Sequence, residues 1–372
     1  MKKLINRPED FVKETMEGII AAYGDKVRLL DGDYRILLSN YGAMEGKVGI
    51  VTAGGSGHLP VFLGYVGQGL LDGCTVGNVF ASPAAAKMAD MIRACDKGSG
   101  VLVLLGNYGG DRMNFELACE TVDMEDDIQT KMVLVKDDVA SAPEAEAHRR
   151  RGVAGMVYAF KIAGAKAENG GNLEEVAQAA QHALNNIRTM GVALTSCIVP
   201  QVGEPTFSIA DDEIEIGMGI HGEPGLEVCK MMTADQVAEI LLGKITEDMP
   251  LKAGDEVSVM VNGLGATPLE EQFIVYRRIH QMLEELGISV YMPHIGEYAT
   301  SMEMAGLSLT ILKLDEELKG LLGQVAKCRL PRYLTKPRQR RSEWDMAGSD
   351  GISRVSAVFR GKSLLTNKMR II

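Results

Sequence analysis

Apolar residues recur along this 372-residue chain in two alternating rhythms, short unbroken runs and longer stretches with helical spacing. Residues 11–22 (FVKETMEGIIAA) are amphipathic at the helical period. KVGIVTAGG (47–55) reads as a strand running into a glycine turn. SPAAAKMADMIRAC (82–95) reads as a helix with Ser82 as N-cap and Pro83 at N1. GVLVLLGNYGG (100–110) is a buried strand that again ends on glycine, with the helix FELACETVDM (115–124) and the strand TKMVLVKDDV (130–139) behind it. Strands alternating with helices predict a layered α/β fold.

A second block with the same rhythm follows the helical pattern NLEEVAQAAQHALNNIRTM (172–190). GVALTSCIVP (191–200) and EIEIGMGIHGEPG (213–225) are strand-like, TADQVAEILLGKIT (233–246) is helical, and DEVSVMVNGLGATPLEE (255–271) reads as strand, turn and helix. ISVYMPHIGEYATS (288–301) and LSLTILKLD (307–315) close the block. The expected organisation is an N-terminal α/β domain over 1–188 and a C-terminal α/β domain over 189–328, each a mixed β-sheet flanked by helices. No Pro/Ser-rich linker separates them, so tight packing is expected. Residues 329–372 differ in kind, with eleven Lys and Arg against three Asp and Glu. That basic C-terminal extension has a net charge of +8, and the chain total of −11 therefore leaves −19 on residues 1–328.

Composition narrows the function classes. The apolar fraction of 46% and charged fraction of 24% are those of an ordinary globular chain. No window approaches the ~18 apolar residues of a membrane span, and the N-terminus lacks the apolar core of a secretory signal. Net acidity argues against nucleic acid as a direct partner. The six cysteines are scattered without a CxxC pair, which predicts neither a structural zinc site nor a disulfide framework and fits a cytoplasmic protein.

Glycine is the outlier, 42 residues or about 11% against a usual ~7%. Three glycine clusters stand directly after apolar strands: Ala53–Pro60, Gly106–Asp111 and Gly217–Gly225. In open α/β sheets ligands gather at such strand ends, where glycine lets backbone N–H groups approach them closely. None of the clusters contains GxxxxGK[ST]. The third fits G-x-G-x-x-G at Gly217, Gly219 and Gly222, but Glu223-Pro224-Gly225 follows where a dinucleotide fingerprint requires a helix. The clusters hold His58, Asp111 and His221, a set suited to a small polar ligand. A neutral histidine can act as base or nucleophile, and an ionised aspartate can take a hydroxyl proton. His294, after Pro293 near a strand end, is a weaker candidate, whereas His148, His182 and His280 read as surface or structural.

The segments GGSGHLP, GNYGGDRMNFE, RRGVAG, FSIADDEIEIGMGIHGEPG, NGLGATPLEE and TSMEMAGLSLTILKLD resemble the DhaK-type, substrate-binding subunits of the dihydroxyacetone kinase family. The resemblance runs in order over roughly residues 1–320 and implies two α/β domains and a homodimer. It further implies that His221, in IHGEPG, adds to a ketone carbonyl as a hemiaminal, that Asp111 accepts the proton of the attacking hydroxyl, and that His58 assists. The Gly55 N–H and Ser82 would bind substrate oxygens. Two positions depart from the family pattern: Gly106 stands where a lysine commonly precedes Asn-Tyr, and Leu59 stands where GHEP has glutamate. The lost lysine leaves space at Gly106, in the substrate-binding set, for a larger ketose such as erythrulose. The family's ATP or ADP with Mg2+ sits on a separate L subunit, so this chain is expected to bind no cofactor and to be inactive without a DhaL-type partner. The rival expectation is a catalytically silent paralogue that senses the ketose and coactivates a transcription regulator.

Overall fold

The first sheet is assembled from β1 (Val27–Leu30), β2 (Asp33–Ser39), β3 (Gly49–Ser56), β4 (Gly73–Val79), β5 (Val101–Gly106) and β6 (Thr130–Val135) in the computed structural model, which describes residues 2–41 and 44–327. Its strand order is β1-β2-β4-β3-β5-β6, with β4, β3, β5 and β6 parallel and the β1–β2 and β2–β4 pairs antiparallel. The second sheet comprises β7 (Ile187–Ala193), β8 (Glu213–Ile216), β9 (Glu227–Lys230), β10 (Glu256–Gly263), β11 (Ser289–Val290), β12 (His294–Gly296) and β13 (Gly306–Leu314). Its order is β11-β10-β13-β7-β8-β9, with β12 also on β10 and only the β11 and β12 pairings parallel. Both sheets are therefore mixed, and helices flank each of them. The helices are α1 (Phe11–Tyr23), α2 (Ala85–Cys95), α3 (Gly109–Asp126), α4 (Met156–Glu168), α5 (Leu173–Asn185), α6 (Ala234–Asp248), α7 (Leu269–Glu285) and α8 (Glu316–Leu322).

Strand β5 shows how the pattern becomes layers. Its alternate residues Val101, Val103 and Leu105 pack with Met88, Ile92, Phe115 and Val122 of α2 and α3. Leu102 and Leu104 point the other way, into a cluster with Met156 and Phe160 of α4 and Val176 of α5. Met260 and Leu312 of the second sheet join that same cluster. The opposite face of the second sheet, including Val259, Val261 and Leu309, packs on Leu241 of α6 and Ile279 of α7. The α4–α5 layer thus lies between the two sheets, which explains the missing linker and why almost every residue of α4 is buried.

Three local expectations change. The helix at 172–190 ends at Asn185, because residues 187–193 pair with β13 as a strand. The N-cap of α2 is Ala84 rather than Ser82, which lies two residues upstream with Pro83 also outside the helix. α3 begins at Gly109, not near Phe115, so Asp111 sits inside its first turn. The expected domain boundary at 188/189 falls within β7. The basic extension 329–372 lies outside the described residues, as does Cys328.

Candidate functional site

The parallel arrangement of β3, β4 and β5 brings their carboxyl ends to one edge of the first sheet, where the chain turns on glycine. His58 follows β3, Ser82 follows β4, and Asp111 follows β5. The second sheet supplies His221 from the β8–β9 loop. Its ring centroid lies 4.7 Å from that of His58, at an interplanar angle of 82°. Phe80 stacks on His58 at 4.8 Å and meets His221 at 5.3 Å, while Tyr108 contacts His221 edge-on at 4.8 Å. The structure therefore brings together the three titratable residues singled out in the glycine clusters.

The orientation of each histidine is fixed by the bond its Nδ1 makes. His221 Nδ1 donates to Glu223 Oε1 at 2.8 Å, and the His221 backbone N–H donates to Glu223 Oε2 at 2.9 Å. A carboxylate can only accept, so Nδ1 carries the proton and the ring lone pair lies on Nε2. Arg151 stands behind this pair, with Nη1 3.9 Å from Glu223 Oε2 and Nε donating to Asp138 at 2.9 Å. Burial pushes the Glu223 carboxyl upward, but the hydrogen bond and charge of His221 outweigh it and hold the group at about 2. His58 Nδ1 faces the Thr300 carbonyl at 2.8 Å, which likewise leaves Nε2 as the acceptor. Burial, reinforced by His221, lowers His58 to about 3, so its imidazole stays neutral.

Among the described residues, eight buried side-chain atoms lack a hydrogen-bond partner: those of Thr52, Thr75, Gln272, His294 and Glu297, and, at this site, His58 Nε2, Tyr108 Oη and Asp111 Oδ1. Such groups are costly to leave unpaired, and these three belong to residues surrounding or facing His221. Burial raises the Asp111 carboxyl above its ordinary range, opposed by the Ser82 hydroxyl and by His221. Gly55 lies so close to the 80–81 backbone that an added Cβ would stand 2.7 Å from Ala81 N and 2.8 Å from Phe80 Cα. Only glycine therefore lets β3 approach the segment leading to Ser82. At Gly106 a Cβ would meet the Tyr108 ring at 3.0 Å, so that ring occupies the direction a side chain at 106 would take.

The remaining candidates separate. His294 is not at this site; it is buried in the second sheet beside Tyr158 Oη (3.2 Å) and Ser258. His182 pairs with Asp315 and Glu317, and His280 with Glu284. The Gly217–Gly222 pattern leads into strand β9 rather than a helix, so it is no dinucleotide turn. Among the described residues no group of three or more His, Cys, Asp and Glu could hold a metal, and no helix is long and apolar enough to cross a membrane. Sequence reading missed the parts played by Glu223, Tyr108, Phe80 and Thr300. The first alone had a signal, its fixed place two residues after His221.

The family profile described as the Dak1 domain matches residues 17–329. The dihydroxyacetone-binding subunit DhaK of the PTS-dependent dihydroxyacetone kinase 1 of Listeria innocua is 45% identical over 317 residues, covering 85% of this chain and 95% of that protein. The L-erythrulose kinase of Pectobacterium atrosepticum is 43% identical over 323 residues, 86% of this chain but 54% of that longer protein. Among solved structures, the dihydroxyacetone kinase operon co-activator DhaQ superposes with a TM-score of 0.81 at 33% identity, covering 87% of this chain and 98% of that one. The chain belongs to the Dak1-domain family.

Proposed function

We propose that this chain is the ketose-binding subunit of a dihydroxyacetone-kinase-type phosphotransferase, and that it holds its substrate covalently on His221. The observation that carries the reading is the set of buried, unpartnered polar atoms of His58, Tyr108 and Asp111 around an imidazole whose Nδ1 proton is fixed on Glu223. A ketose supplies both complements, hydroxyls for the orphan atoms and a carbonyl for Nε2. The Nε2 lone pair bonds to the carbonyl carbon while the C=O π pair moves to oxygen, which takes a proton from water. The ring gains positive charge in that step, and Glu223 stabilises it by keeping its bond to Nδ1–H, so the adduct stands as an ion pair with the carboxylate and the hydroxide left by the water passes to solvent. Glycerol has no carbonyl and is excluded by chemistry rather than by size. The Gly55 N–H and Ser82 hold substrate oxygens, and His58 Nε2 accepts from a substrate hydroxyl. Asp111 takes the proton of the hydroxyl that attacks the phosphoryl donor.

The donor belongs to a second chain. A DhaL-type subunit carrying ATP or ADP with Mg2+ would supply it. A homodimer is supported by apolar side chains exposed beside the edge strand β9 (Leu226, Val228 and Met231) and on α7 (Phe273 and Ile274). A four-carbon ketose such as erythrulose is favoured over dihydroxyacetone. The Tyr108 hydroxyl has no partner and could take a further substrate hydroxyl, and the Pectobacterium relative is named for L-erythrulose; the space expected at Gly106 adds nothing to this, because the Tyr108 ring fills it.

The test is mass spectrometry of the His221 peptide with each ketose, followed by addition of a purified L subunit with ATP and Mg2+. The reading expects a His221 adduct, stronger with erythrulose, and a ketose phosphate. Equal or better labelling by dihydroxyacetone removes the larger substrate, and no adduct removes the covalent mode. The likeness to DhaQ supports one rival, a ketose sensor that coactivates transcription. An adduct without product from any cognate L subunit would favour that rival.

A further inference from the structure

The motif NGLGATPLEE remains without a role in the site described above, although its strand β10 ends beside the segment that meets His58. Asn262, within β10, is fully buried and its amide is saturated. Oδ1 accepts the backbone N–H groups of Tyr298 and Ala299, both at 2.8 Å. Nδ2 donates to the Ala299 carbonyl at 2.8 Å and to Ser308 Oγ at 3.1 Å. All four hydrogen-bonding positions of the side chain are used, and three of them hold two adjacent residues of one loop.

That loop, residues 298–302, continues onto the first sheet's catalytic turn. Thr300 N–H donates to the His58 carbonyl at 3.3 Å, and Met302 N–H donates to the Gly57 carbonyl at 2.8 Å. Thr300 Oγ1 donates to the Leu59 carbonyl at 2.8 Å, and the Thr300 carbonyl receives His58 Nδ1 at 2.8 Å. On its other side the loop is pinned by Ser301 N–H to the Leu264 carbonyl at 2.8 Å. The two sheets are therefore joined at the site by backbone bonds, and a buried amide fixes one end of the joint.

We propose that Asn262 is a positioning residue for ketose capture: by holding the 298–302 loop it places the Thr300 carbonyl against His58 Nδ1 and so keeps His58 Nε2 as the acceptor facing the substrate. The inference rests on the reading that His58 receives a substrate hydroxyl. Without the loop in register, His58 is free to turn or to move its proton to Nε2, and the acceptor becomes a donor. Aspartate at 262 keeps the two accepted bonds but sets an oxygen against the Ala299 carbonyl, a repulsive contact where a donor stood.

The test uses the full chain labelled with 15N-histidine. In the unmutated protein, ring-nitrogen NMR should show His58 protonated on Nδ1, a result that requires no adduct. Asn262→Asp should lose that signature and raise the half-saturating ketone concentration about ten- to a hundredfold. Ser308→Ala, which removes only the bond away from the loop, should keep both. In a His58→Ala background Asn262→Asp should change capture by less than about twofold, because the residue it acts through is gone. Protonation of His58 on Nε2 in the unmutated protein overturns the proposal, and this outcome stays decisive where Asn262→Asp does not fold. An equal loss of capture by Asn262→Asp with and without His58 also overturns it. Absence of any His221 adduct in the unmutated protein instead refutes the covalent reading and leaves the tautomer result standing.

Discussion

Replacing Glu223 with glutamine tests the capture step at its electrostatic partner. The two carboxylate oxygens each accept one donor, the His221 ring Nδ1–H at 2.8 Å and the His221 backbone N–H at 2.9 Å. Glutamine presents one oxygen and one NH2 in the same space, so whichever way the amide turns, one donor faces another donor. The negative charge opposite the ring is lost as well. A hydrogen bond to a charged group contributes about 1.5–3 kcal/mol, and about 1.4 kcal/mol is a factor of ten in an equilibrium. The His221 side chain is 23% exposed and that of Glu223 31%, which allows some solvent screening and favours the lower part of that range. Glu223→Gln should therefore raise the ketone concentration for half-maximal His221 adduct about ten- to fiftyfold, without loss of fold. Intact-protein mass spectrometry over a ketone series reads that concentration directly. An unchanged midpoint would show that the carboxylate does not stabilise the adduct, and the assignment of Glu223 would fall.

Asp111→Asn should leave adduct formation in place but slow ketose phosphate production with an L subunit, ATP and Mg2+ by about 10²–10⁴-fold, as loss of a general base does; turnover equal to the unmutated protein refutes the base. Gly55→Ala drives a Cβ to 2.7 Å from Ala81 N, so the backbone has to move, at a cost of about 1–3 kcal/mol that calorimetry would detect. The same variant should weaken ketose capture by displacing Phe80 from His58, and wild-type capture with unchanged stability would contradict the packing argument. Acid stability gives a further check through His294, which burial lowers to about 4 in the folded state. Its unfolded value of about 6.5 lies higher, so the unfolded chain binds the proton first. Its contribution is complete above pH ~6.5 and is lost as the pH falls toward 4. His294→Gln should flatten the pH dependence of urea-unfolding stability between pH 6 and 5 by about 1 kcal/mol per pH unit, and an unaltered slope would show that the site is open to water.

The elements that the sequence made legible are those whose residues face different surroundings on different sides. α1 carries one apolar face, and its expected range of 11–22 matches Phe11–Tyr23 to within a residue. α4 escaped notice because it is covered by layers on both sides and has no polar stripe to reveal a period. The first part of β7, Ile187–Met190, reads as the end of the preceding helix because it contains nothing that forbids helix, while Gly191–Ala193 reads as strand; the pairing of the whole with β13 is a tertiary fact. The site followed the same logic. His58, Asp111 and His221 were found through glycine, which gathers where backbone must approach backbone or ligand, as Gly55 does at Ala81. His294, expected near a strand end after Pro293, is instead the first residue of β12, and Tyr158 and Ser258 hold it in the interior, whereas His58 and His221 lie in loops beyond their strands.

The bonds that set the two rings differ in how they could be read. Glu223 acts through a side chain, so its residue type and its spacing from His221 are visible in the sequence. Thr300 acts on His58 through its carbonyl, which any residue could supply, and that leaves no mark at position 300. A backbone acceptor can still be traced when some side chain has to hold it in place. Asn262 is such a trace: an amide buried in β10 with two donors and two acceptors matched has little tolerance for substitution, although it lies away from the chemistry. The tautomer of His58 thus depends on a residue that no motif for catalysis would select, and it becomes apparent only when the hydrogen bonds of the connecting loop are followed to their ends.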